Sequence, residues 1–111
     1  GAQLPTTGQA GESVSLRFRW QALKNIQTNY TLFVHVVDQY GEIASQLDAS
    51  PMPDLFTINW LPDYALIGEY QLPLPRFTGS YDIYAGLYND MGRLFLPDGT
   101  DRLYLGEIEL E

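Results

Sequence analysis

The densest group of side chains with binding chemistry lies in residues 79–99, which are rich in tyrosine. Aromatic and aliphatic residues alternate there with other types, and this period of two predicts a strand with one face in a hydrophobic core. The core face of this strand is predicted to hold Tyr81, Ile83, Ala85 and Leu87. If residues 88 and 93 pair across a turn at residues 89–92, a second group shares the opposite face. That outer group is Tyr84, Tyr88, Arg93 and Phe95.

The outer group has two interpretations. Flat rings accept the apolar face of a sugar, and the guanidinium of Arg93 can hold hydroxyls or a carboxylate, which favours a carbohydrate platform. The same residues can instead serve packing, with Phe95 shielding Gly86 and Arg93 stacking on Tyr88. The sequence leaves both interpretations open.

Trp60 belongs to a second aromatic group, with Phe56 and Tyr64, in the irregular proline-containing stretch 49–67. A stretch of this length without periodicity predicts a functional loop or a packed flap. We favour a flap that covers the strand near residues 30–38, and exposed rings would favour a binding loop instead.

His35 and Asp48 are the pair most suited to acid-base chemistry. They fall on one face of a predicted hairpin over residues 30–48, close enough for a diagonal contact. Neither Ser45 nor Ser50 lies in a strained nucleophile turn. We therefore predict a structural His–Asp contact and assign no catalytic residue.

Asp98 and Asp101 flank Gly99 and form a weak candidate site for calcium, which prefers hard oxygen ligands. The loop lacks the twelve-residue EF-hand spacing. No glycine-rich phosphate loop is present, so nucleotide binding has no support and we expect no cofactor. Apart from this weak calcium candidate we assign no metal site.

Composition excludes several classes of protein. The net charge of −8 opposes nucleic-acid binding. The longest apolar run, near residues 32–37, is much shorter than the ~20 residues that cross a bilayer, so no direct membrane insertion is expected. The chain has no cysteine, which excludes disulfides and thiolate sites. It begins without methionine and shows no signal peptide, from which we expect an excised soluble module.

Strand signals recur along the chain. The stretch SVSLRFRWQ alternates apolar and polar residues, whereas residues 30–37 are apolar on both faces and predict a central strand. The GSY sequence ending at Tyr81 is typical of a tyrosine corner. A change of apolar parity at Gly106 predicts a β-bulge.

These signals predict an all-β fold. We expect one antiparallel β-sandwich of seven to eight strands over residues 1–111, either immunoglobulin-like or jelly-roll. Residues 1–11 are expected to be a leader or a first edge strand.

A family resemblance extends this interpretation over about residues 12–110. The segments that carry it are LRFRWQAL, NYTLFVHVVDQYGEIASQLDASP, YQLPLPRFTGSYDIYAGLYNDMGRLFL and DRLYLGEIEL. Their order resembles the C-terminal β-sandwich accessory domain of bacterial membrane glycosyltransferases of the protein mannosyltransferase type. Transfer chemistry in that family is attributed to the membrane portion, so the resemblance transfers no catalytic residue to this chain.

The resemblance implies a non-catalytic accessory domain on the extracytoplasmic side of a bacterial membrane, as part of a larger protein. Its expected partners are carbohydrate or the membrane portion of its own parent chain. The alternative is a structural or protein-interaction domain with an immunoglobulin-like fold.

Overall fold

The structure is a computed structural model that describes residues 2–21, 29–51, 65–95 and 98–111. Within these ranges the chain forms nine β-strands and no helix, which confirms the predicted all-β class. None of the described residues belongs to a helix that could cross a membrane. The strands are β1 (Ala2–Gln3), β2 (Thr7–Gly8), β3 (Ser13–Gln21), β4 (Thr31–Val37), β5 (Ile43–Ala49), β6 (Ala65–Pro73), β7 (Gly79–Asn89), β8 (Gly92–Arg93) and β9 (Leu103–Leu110).

The strands form two sheets. The smaller has the order β1-β3-β6, and the larger has the order β2-β9-β7-β4-β5, with β8 attached to β7. The N-terminal segment pairs first with β3 and then, through β2, runs parallel to β9. The expectation of a purely antiparallel fold is therefore wrong at this pair, because one short segment contributes to both sheets. Residues 2–3 and 7–8 form edge strands of the two sheets.

Buried side chains of both sheets form a single hydrophobic cluster. Leu16 and Phe18 of β3 lie in it while Arg17 and Arg19 are exposed, as the alternation predicts. The buried members of the cluster are Leu16, Phe18, Leu32, Val34, Val36, Tyr70, Leu72, Leu74, Tyr81, Ile83, Ala85, Ile108 and Leu110. We call the sides of the strands that contribute to this cluster the inner faces.

The tyrosine corner is confirmed at the edge of this core. The ring of Tyr81 is buried, and its hydroxyl donates a hydrogen bond to the carbonyl oxygen of Phe77 at 2.9 Å. The bond ties the start of β7 to the turn that precedes it, as in sandwich folds.

The predicted hairpins are confirmed. The Asp38 carboxylate accepts hydrogen bonds from the amides of Tyr40 and Glu42, which closes the turn between β4 and β5. In the second hairpin Tyr88 pairs with Arg93, as predicted, and pairing in β8 ends at that residue.

The bulge in β9 is confirmed. Ile83 pairs with Gly106 and the next residue, Tyr84, pairs with Tyr104, so Leu105 is the extra residue. Gly106 has a φ of 147°, a backbone conformation that other residues rarely adopt.

The predicted irregular stretch 49–67 is too long at both ends, because Ala49 belongs to β5 and β6 begins at Ala65. The aromatic flap assigned to Trp60, Phe56 and Tyr64 lies outside the described residues. Strand β4 is nonetheless central, between β7 and β5, and is buried on both faces as predicted.

Candidate functional site

The outer side of the larger sheet carries Tyr84 and Tyr88, two of the aromatic residues singled out in the sequence. Cross-strand pairing places Tyr104, Tyr84 and His35 in one row, and Gly86 and Phe33 in the next. We call this surface the aromatic face. Its members are Phe33, His35, Tyr84, Tyr88, Arg93, Arg102 and Tyr104.

Tyr84 is the centre of the first row. The guanidinium carbon of Arg102 lies 3.9 Å from the centroid of its ring, a cation-π contact, and the ring of Tyr104 packs against it at 5.3 Å. The Tyr104 hydroxyl donates to an Asp82 carboxylate oxygen at 3.0 Å. This hydrogen bond to a carboxylate raises the pKa of Tyr104. The phenol therefore stays neutral and acts as a donor.

Phe33 lies over Gly86 in the second row. A β-carbon added to Gly86 would come within 2.3 Å of the Phe33 ring, so the absence of a side chain there creates the seat for that ring. The hypothesis that Phe95 shields Gly86 is wrong, because β8 ends at Arg93 and Phe95 is 68% exposed.

Arg93 stacks on Phe33 rather than on Tyr88 as the packing hypothesis supposed. Its guanidinium carbon lies 4.5 Å from the Phe33 ring centroid. Tyr88 contacts Phe33 from another direction, with 6.3 Å between the two ring centroids. Arg93 also forms an ion pair with Asp101, with a nitrogen to oxygen distance of 3.3 Å. These contacts hold the guanidinium over the face. Both side chains of the ion pair are about 40% exposed, and a pair at such positions contributes little to stability.

A shallow recess of about 660 Å³ lies beside Tyr84, and Phe95 forms part of its lining. The structure thus brings Tyr84, Tyr88 and Arg93 together on one surface and places Phe95 at its border. Sequence reasoning missed Arg102, Tyr104 and Phe33 as members. A signal for Tyr104 existed, because Tyr104 alternates with Leu103 and Leu105 in β9 and so lies on the opposite side of the strand from them. The residues that line the recess are Tyr84, Phe95, Asp98, Gly99, Thr100, Asp101, Arg102, Leu103 and Tyr104.

His35 is buried on this face, and Asp48 lies diagonally from it as predicted, opposite Phe33 rather than opposite His35. Burial and, after it, the charge of Arg93 lower the pKa of His35, while Asp48 acts in the opposite direction. The carboxylate of Asp48 accepts a hydrogen bond from Gln46 instead, at 3.4 Å. The imidazole is therefore held neutral near pH 7.

No catalytic triad forms around His35 in the described part of the chain. Ser45 pairs with Val36, whose neighbour His35 faces the other side of the sheet, and the Ser45 hydroxyl donates to the carbonyl oxygen of Pro73 at 2.6 Å. A nucleophile and a base on opposite faces cannot exchange a proton.

The calcium candidates Asp98 and Asp101 are each held by a partner within the chain. Asp98 accepts two hydrogen bonds from Thr100, which lower the pKa of Asp98, and Asp101 is paired with Arg93. Among the described residues, no three acidic or histidine side chains converge on a point that would hold a metal ion.

Comparison with protein-family models, with curated proteins and with solved structures gave no match for this chain. Its function must therefore be argued from the aromatic face itself. The face combines tilted aromatic rings, two guanidiniums and phenol hydroxyls.

Proposed function

We propose that this chain is a non-catalytic, carbohydrate-contacting module. The observation that carries the proposal is the cluster of Arg102, Tyr84 and Tyr104, in which the guanidinium lies over the Tyr84 ring and the Tyr104 ring packs against it at 60°, beside an open recess. The rings offer flat apolar area, and Arg102 and the Tyr104 hydroxyl offer hydrogen-bond donors at its edge. Tyrosine and arginine in this arrangement bind with little loss of side-chain freedom.

Arg102 is suited to a ligand for a further reason. The described residues include two ion pairs, Arg17 with Glu69 and Arg93 with Asp101, and Arg102 takes part in neither. Its guanidinium is oriented by the Tyr84 ring, so its donors can reach sugar hydroxyls or a sugar carboxylate.

We further propose an immunoglobulin-like β-sandwich as the fold. Support comes from an N-terminal segment shared by both sheets, from the strand order β9-β7-β4-β5, and from a tyrosine corner at the start of β7. In antibody domains the second disulfide cysteine follows that tyrosine by two residues. Here the position holds the fully buried Ile83.

The proposed setting is an accessory domain of a larger membrane glycosyltransferase, on the extracytoplasmic side. This part of the proposal rests on the sequence resemblance alone. An acceptor or a growing glycan would then meet the aromatic face, and the transfer chemistry would belong to the parent chain.

The test is a titration of isotope-labelled protein with neutral and acidic mono- and oligosaccharides, with and without calcium, followed by heteronuclear NMR. We expect shifts to concentrate at Tyr84, Tyr104 and Arg102, and Tyr104→Ala to weaken binding at least about tenfold, or about 1.4 kcal/mol. The matched control is Tyr40→Ala, because Tyr40 is 79% exposed on a distant turn and should not affect binding.

A panel that produces no shifts would overturn the carbohydrate proposal. Equal weakening by Tyr104→Ala and Tyr40→Ala would also contradict it, because binding would then not depend on the aromatic face.

The second candidate function is a structural or protein-interaction domain. It is favoured by exposed apolar side chains at the opposite end, where Tyr40 and Phe77 are each 79% exposed and Ile43 is 51% exposed. Aromatic residues on rigid turns are common anchors of protein interfaces. Capture of a protein partner that is lost in Phe77→Ala but kept in Tyr104→Ala would favour this function.

A further inference from the structure

Two carboxylates adjoin the aromatic face beside Tyr104. Asp82 of β7 pairs with Glu107 of β9, and Tyr84 pairs with Tyr104 in the neighbouring row on the same side of the sheet. Residues that share one side of a strand follow each other at intervals of roughly 7 Å. The carboxylates of Asp82 and Glu107 therefore lie next to the tyrosine row, within the reach of one ligand.

No positive charge neutralises this pair. The Asp82 carboxylate accepts its hydrogen bond from a neutral group, the Tyr104 hydroxyl, at 3.0 Å. Glu107 is exposed, and within the described residues its carboxylate has neither a hydrogen bond nor an ion pair. Like charges directly opposite each other in antiparallel strands are destabilising. The pair therefore does not serve to stabilise the sheet.

Both carboxylates act on Tyr104. The hydrogen bond to Asp82 raises the pKa of Tyr104 most, and the charges of Asp82 and Glu107 act in the same direction. The side chain of Tyr104 is 51% exposed. A ligand that lies on this ring can therefore contact the carboxylates at the same time.

The charge of the face changes sign across Tyr104. Arg102 lies just before β9, whereas Glu107 follows Tyr104 within that strand. Arg93 is paired with Asp101, and Arg102 takes part in neither of the ion pairs of the described residues. A ligand on Tyr104 therefore has guanidinium donors on one side and carboxylate acceptors on the other.

We propose that the sugar bound by the aromatic face carries a protonated amino group, as a hexosamine does. This inference rests on the proposed carbohydrate function and names the class of its ligand. The ammonium group donates to Asp82 and Glu107, the sugar ring lies on Tyr104, and Arg102 donates to a hydroxyl oxygen. Hydrogen bonds between an ammonium and a carboxylate are stronger than those between neutral groups, so they select the amino sugar.

The test compares trimers of glucosamine, of N-acetylglucosamine and of glucose that share one type of linkage. Only the first is charged in mildly acidic buffer, where the carboxylates stay ionised. Binding is followed by the backbone NMR signals of Asp82, Tyr104 and Glu107. We expect the glucosamine trimer to bind at least about threefold more tightly than the neutral trimers at low salt. Added salt should reduce this preference, because exposed charges are screened.

The variant Glu107→Gln should lower the preference at least about twofold and leave the affinity for the neutral trimers unchanged. Asp82→Asn should have the same effect, since an amide oxygen still accepts the hydrogen bond from Tyr104. Glu12→Gln is the matched control, because it removes the same charge from an exposed position before β3 of the smaller sheet. It should keep the preference.

Neutral trimers that bind as tightly as the glucosamine trimer would overturn this inference and leave the carbohydrate proposal standing. Absence of shifts with every sugar would overturn both. A preference that survives Glu107→Gln and Asp82→Asn would contradict the assigned carboxylates. Methylammonium that binds as tightly as the glucosamine trimer would show that the sugar ring has no part in recognition.

Discussion

The two faces of β7 use different means to hold their side chains. On the inner face Ile83 is fully buried and Ala85 nearly so, among aliphatic side chains of both sheets. On the outer face Tyr84 and Tyr88 are only partly buried and contact rings and guanidiniums. The close packing around Ile83 leaves little room there for a ligand. Partly exposed rings and guanidiniums can instead replace contacts with water by contacts with a ligand. For this reason the binding proposal concerns the outer face.

The largest expected effect on the free energy of unfolding distinguishes Ile83 on the inner face from its neighbour Tyr84 on the outer face. Ile83→Ala should lower the free energy of unfolding by about 2–5 kcal/mol, because it leaves a cavity in a close-packed core. Tyr84→Ala should lower it clearly less. Urea unfolding at equilibrium measures both. Equal losses would contradict the division into a structural and a binding face.

Gly86 is the position where the outer face is itself closely packed. Gly86→Ala should cost about 1–3 kcal/mol, because the new β-carbon would collide with the Phe33 ring. Combining it with Phe33→Leu should recover part of the loss, since the smaller side chain vacates that space. A double-mutant cycle measures this coupling, and strict additivity would show that Phe33 is not the obstacle.

Tyr81 lies at the edge of the inner face, where its hydroxyl makes a hydrogen bond. Tyr81→Phe should cost about 0.5–1.5 kcal/mol, because the hydrogen bond to the Phe77 carbonyl oxygen is lost while the buried ring remains. Tyr40→Phe is the control at an exposed ring and should leave the free energy of unfolding unchanged. A Tyr81→Phe protein as stable as the parent would show that the corner does not stabilise the fold.

The smallest expected effect concerns pH. The pKa of His35 is lowered in the folded protein, so below its unfolded value of ~6.5 the unfolded chain binds the proton more readily. Stability should therefore fall as the pH falls through the window between the two pKa values. Urea unfolding at pH 7.5 and 5.5 should show a larger loss for the parent than for His35→Gln. Parallel losses would contradict a neutral, buried imidazole.

Much of the fold was predictable because its signals are local. Alternation assigned the inner face of β3 and β7, a parity change located the bulge at Gly106, and the residues before Tyr81 indicated the corner. Each of these depends on a few consecutive residues. The predicted boundaries of the stretch 49–67 were wrong, because the prolines within it hid the end of β5 and the start of β6 from the alternation pattern.

The candidate site was predictable only in part, since its contacts join distant strands. The partnership of Phe33 with Gly86 depends on the register between β4 and β7, and that of Tyr84 with Tyr104 depends on the bulge in β9. No local pattern encodes which of several strands lies alongside another. Arg102 was missed because its loop gave no sign that its guanidinium turns towards Tyr84.

By itself the sequence determined the all-β class, the faces of the main strands and the turns, because side-chain alternation and turn chemistry act over a few residues. Tertiary structure alone decided that the N-terminal segment serves both sheets, that Phe33 fills the space over Gly86, and that Arg102 and Tyr104 enclose Tyr84. These features arise from the pairing of strands far apart in the chain, and that pairing is selected by packing of the whole core.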